Sequence, residues 1–174
     1  MLPNPLHPAV VHFPIVLVIL LPLVALGALL AIRRGASFRP VWAVPLAVAA
    51  GLLASSWLAV ETGDADEDRV ESVVAESAIE KHEEAAERFL VLSGVLLLVV
   101  AAGLAPGSLG SAGRIISTIG AMGLVIAGAQ VGASGGELVY EHGAAAAYTQ
   151  PAAGGAAESG RVANGAEDQD EDRD

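Results

Sequence analysis

The sequence predicts an all-α integral membrane four-helix bundle, and three observations lead there. Four apolar runs, at about residues 9–32, 41–60, 89–105 and 115–136, contain no Asp, Glu, Lys or Arg. The chain is 53% hydrophobic and 17% charged, against about 25% charged residues in an average soluble domain. The charges are also sorted by sign along the chain, with arginine between some runs and carboxylates between others. A soluble core of alternating or striped apolar residues does not produce runs of this length.

Each run is long enough, alone or with its flanks, to cross a hydrocarbon layer of roughly 30 Å. Lipid offers no hydrogen-bond partner to the backbone, so such runs must be helices. The first run has no basic segment before it and exceeds the usual length of a signal-peptide core, so it reads as a retained span. The third is short, but the polar segment before it has helical spacing. Residues 64–88 predict an amphipathic helix leading into that span, with Asp64 as N-cap and Ala75, Ile79, His82, Ala86 and Phe89 on one face. The fourth run is glycine-rich. Gly128, Gly132 and Gly136 recur every fourth residue, a line that lets helices approach closely, within the bundle or in a homo-oligomer.

Arg33, Arg34 and Arg39 lie between the first two runs, and Arg114 between the last two. All 20 acidic residues fall elsewhere, 11 in residues 61–88 and nine in residues 134–174. The positive-inside rule then places the two arginine loops in the cytoplasm. Both termini and the acidic middle segment lie outside a cell (inner or plasma) membrane. The expected division is a four-span domain over residues 1–143 and a disordered acidic tail over 144–174, where large apolar residues are scarce.

Several functions are excluded at this stage. With no cysteine there is no disulfide, thiolate metal site or cysteine nucleophile. A formal charge of −11 opposes nucleic-acid binding. No phosphate-binding glycine loop, GxSxG elbow or HExxH is present, and no residue is assigned a catalytic role.

The histidines are the remaining chemistry. His7 and His12 open the first span, His82 lies on the apolar face before the third, and His142 closes the fourth. The orientation puts all four at the outer face. An ionisable group within an apolar span needs a partner, and neutral imidazole is a common ligand of transition metals and haem iron. His7, His12, His82 and His142 are therefore the candidate cofactor or metal ligands, with His12 and His82 foremost. Glu61, Asp64, Glu137 and Glu141 are candidates to orient them.

These segments carry a family resemblance. The opening NPLHPAVVHFPIVL, the TGD after the second run, the histidine before the third and the closing GGELVYEHG resemble the bacterial domain-of-unknown-function 2231 membrane family, over roughly residues 3–143. The resemblance implies a four-helix membrane protein and brings no established activity. It also implies an association with redox modules, because members are sometimes joined to Rieske or cytochrome-type domains. The four histidines match the family's histidine positions. The functional expectation is thus an outer-face metal or haem site serving as an accessory of membrane electron transfer, with a redox membrane partner. The alternative is a non-catalytic scaffold or partner subunit with structural histidines.

Overall fold

The structure is a computed structural model that describes residues 6–148. The elements are α1 (His7–Val10), α2 (His12–Arg33), α3 (Phe38–Asp64), α4 (Glu67–Glu71), α5 (Glu76–Ala102), α6 (Gly107–Tyr140) and a closing 3₁₀ turn, Ala144–Tyr148. Four stretches are long and apolar enough to cross a membrane: α1 with α2 over His7–Arg33, then α3, α5 and α6. The long helices pack in a ring in which α2 meets α3, α3 meets α5, α5 meets α6 and α6 meets α2. One end of the ring carries Arg33, Arg34, Arg39 and Arg114 without a carboxylate, and the other carries the carboxylates, with Arg69, Lys81 and Arg88 among them.

Alanines are interleaved with larger apolar residues in the interior. Ala25, Ala49 and Ala121 are buried beside Leu21, Leu52, Val100 and the fully buried Trp42. Many large apolar residues also face outward, with Leu98 72% and Ile119 65% exposed. In water such a surface would aggregate; in lipid it is the normal outer face, while small residues bring the backbones together. Buried hydroxyls bond back along their own helices: Ser56 donates to Leu52 O, Ser93 to Phe89 O and Thr118 to Arg114 O. The helices thus imply a lipid bilayer environment and a multi-pass membrane protein.

At the arginine end, α2 stops at a Schellman motif. The Gly35 N–H donates to Ile32 O, the Ala36 N–H donates to Ala31 O, and Gly35 takes the φ of +95° that the motif needs. Across the bundle, the expected loop between the last two spans is only a few residues long. Arg114 is not in it; the residue lies within α6 and is buried.

The carboxylate end also departs from expectation. Asp64 does not cap a new helix, because α3 runs on through it. The chain then turns through α4 and restarts at Glu76 with Ala75 extended. The break lets Val74 and Ile79 bury against Ala144, with Val70, Val73 and Leu138 around them. Burial of this apolar group outweighs the helical tendency of a continuous segment. Ile79, His82, Ala86 and Phe89 keep the expected face, whereas Ala75 is exposed.

Residues 144–148 belong to this packing and not to the tail. The Arg69 guanidinium lies 5.4 Å from the Tyr148 ring centroid. Burial, with Asp66 beside it, pushes the Tyr148 phenol above its ordinary pKa. The rest of the expected disordered tail lies outside the described residues.

Candidate functional site

His7 sits at the first turn of α1, where Pro8 suits a helix start. Its Nδ1 lies 2.8 Å from the carbonyl of Ala59 on α3. A carbonyl can only accept, so Nδ1 carries the proton and, in the neutral ring, Nε2 keeps its lone pair. Thr62 Oγ1 lies 3.4 Å from the same nitrogen and donates its own proton to the Leu58 and Ala59 carbonyls. A Cβ on Gly63 would come within 3.3 Å of the imidazole, tight enough to shift it. The TGD motif is therefore the wall that seats His7.

His82 is built in the same way on the opposite pair of helices. Its Nδ1 lies 2.9 Å from Ser134 Oγ on α6, and Ser134 donates to Val131 O at 3.0 Å. With its only proton committed, the hydroxyl accepts from His82 Nδ1–H, which again leaves Nε2 as the lone pair. Ser134 is buried, and a Cβ on Gly135 would approach His82 Cε1 to 3.1 Å. The two imidazoles meet edge to face, with centroids 6.3 Å apart and planes at 87°. All four spans contribute: the first and third bring the rings, the second and fourth hold them.

Among the described residues no hydrogen bond or ring contact joins the other expected site residues to this pair. His12 is exposed on the first turn of α2, and His142 is exposed just past α6. Glu61 and Asp64 are exposed at the end of α3, as is Glu141 after α6. Glu137 is taken up by Lys81, 2.5 Å away. Among the described residues no three His, Asp or Glu side chains converge as a ready ligand set. The arrangement is thus a pair of partly buried imidazoles, each with Nδ1 beside an oxygen of a neighbouring helix.

Sequence reasoning missed Thr62, Gly63, Ser134 and Gly135 as the residues that position the rings. Their signal was available in the TGD and SGGE strings, which put a hydroxyl beside a glycine. The glycine line divides in a similar way. Gly128 faces Phe89 and Val18 inside the bundle, while Gly132 and Gly136 have open space where a side chain would be. A four-residue repeat advances about 40° per step around a helix, so the line rotates from the interior outward.

Over residues 3–147 the chain matches a known protein family, whereas no curated protein and no solved structure matches it. That match covers all four spans and both imidazoles with their seats, and the chain belongs to the family described as predicted membrane protein (DUF2231).

Proposed function

We propose that the protein binds one transition-metal ion between His7 and His82 at the extracytoplasmic rim of the membrane. The observation that carries this reading is the shared anchoring of Nδ1, 2.8 Å from Ala59 O in His7 and 2.9 Å from Ser134 Oγ in His82. Each Nδ1–H is tied to an oxygen acceptor, which orients the ring and leaves Nε2 as the ligand atom. Two imidazoles suit copper or zinc and leave coordination positions open. An open position is what an accessory of membrane electron transfer would offer to a partner's ligand. His12 and His142 are outside this proposal because each is exposed and neither shares a hydrogen bond or ring contact with the pair among the described residues.

A second reading is favoured by the same hydrogen bonds. His7 ties α1 to α3 and His82 ties α5 to α6, so the rings serve a scaffold as clasps. Asparagine separates the two, because its amide nitrogen occupies the place of Nδ1 and supplies nothing at Nε2. His7→Asn and His82→Asn are expected to fold with melting temperatures near the wild type and to lose the ion. Detergent-purified protein is loaded with Cu(II) or Zn(II), desalted and analysed for metal. About one ion per wild-type chain is expected, retained in His12→Asn and His142→Asn. No retained ion in the wild type, retention by His82→Asn, or a Soret band showing haem instead would overturn the metal reading.

A further inference from the structure

A groove of about 420 Å³ opens at the arginine end, between Val24, Gly27 and Ala31 of α2 and Pro40, Val41 and Val44 of α3. Its lining is apolar. It exists because the α2 side is small: a Cβ on Gly27 would meet nothing within 4 Å, while Leu23, Leu26 and Leu30 stand outward around it. Arg33 and Arg34 follow Ala31 by two and three residues, Arg39 immediately precedes Pro40, and all three are exposed, at the same end of α2 and α3 as the groove. None forms an ion pair among the described residues. No carboxylate occurs in residues 33–60 or 89–136, so the segments that build this end supply no anion to neutralise it.

We propose that this groove holds an acyl chain of an anionic phospholipid whose phosphate rests on Arg33, Arg34 and Arg39. The two halves of the feature match the two halves of that molecule. The apolar concavity is the shape of a hydrocarbon chain, and a guanidinium pairs with phosphate through two hydrogen bonds. Basic pockets between membrane helices on the cytoplasmic side bind acidic headgroups for the same reason. A free phosphate would use the arginines and leave the groove unexplained. A zwitterionic lipid would use the groove and gain little from three cations.

Native mass spectrometry of the full chain tests the proposal, after exchange into mixed phosphatidylglycerol and phosphatidylcholine. The wild type is expected to retain phosphatidylglycerol roughly tenfold over phosphatidylcholine. Gly27→Leu places a bulky side chain where a Cβ meets open space and is expected to lose the retained lipid of either kind. Arg33→Gln with Arg34→Gln is expected to keep a lipid and lose the preference. Equal retention of both lipids by the wild type, or undiminished retention by Gly27→Leu, would overturn the proposal. Metal loading at His7 and His82 is expected to be unchanged in Gly27→Leu, so the two proposals fail independently.

Discussion

Gly103→Ala is expected to lower stability by about 2–4 kcal/mol, a large effect for one added methyl group. A Cβ at residue 103 would fall on the Trp42 indole at Nε1. That ring has nowhere to retreat, because Trp42 is fully buried and its Nε1–H donates to Val100 O at 2.9 Å. Moving it would cost the hydrogen bond and open the core between α3 and α5 together. The backbones are already close here, since a Cβ on Gly113 would stand 3.0 Å from the Gly103 nitrogen. Thermal unfolding in micelles measures the effect, with Gly27→Ala as the control. The control replaces a helical glycine beside open space and is expected to be neutral or to gain up to about 1 kcal/mol. Equal melting temperatures for the two variants would contradict this account of the arginine end.

Arg114→Met is the second large effect, with an expected loss of about 2–4 kcal/mol. Methionine keeps the apolar stem and removes three interactions. Arg114 Nη1 donates to Gly103 O, Nη2 donates to Ser111 Oγ, and the guanidinium lies 5.0 Å from the Phe38 ring centroid. A buried cation without these partners would be expensive in an apolar setting, and with them it closes the turn between α5 and α6. Arg114→Lys is expected not to rescue, because an ammonium cannot reach the carbonyl and the hydroxyl as a planar fork does. The measurement is the same unfolding series. A lysine variant as stable as the wild type would show that charge alone, and not the fork, matters here.

The membrane fold was legible because lipid imposes a length and a backbone rule that composition cannot hide. Runs without charge at residues 9–32 and 41–60 can only be helices, and the structure places α2 and α3 there. Helix ends were less legible. Asp64 reads as an N-cap by residue type, but α3 continues through it and the restart waits until Glu76. The deciding interaction, Val74 and Ile79 against Ala144, joins residues about 70 apart in sequence, which no local pattern reveals. Arg114 read as a loop cation because charges usually avoid spans; its partners Gly103 and Phe38 lie on other elements.

The candidate site was legible in kind and not in pairing. Residue chemistry singled out the histidines, and the apolar stripe singled out the face of α5 that carries His82. Which imidazoles meet depends on how the spans rotate about their axes. A residue five positions along from His7, such as His12, points well away on a helix, although both stand at the same mouth. The partner of His82 is therefore His7, and the residues that place the two rings are a serine, a threonine and two glycines, types that carry no functional signal on their own.

Pulsed electron paramagnetic resonance on protein carrying one equivalent of Cu(II) is the most direct test, because it counts the imidazoles bound to the ion. The wild type, His12→Asn and His142→Asn are each expected to show two coordinated imidazoles, and His7→Asn and His82→Asn to show one at most. Fewer than two in the wild type, or two that survive His82→Asn, would contradict the account.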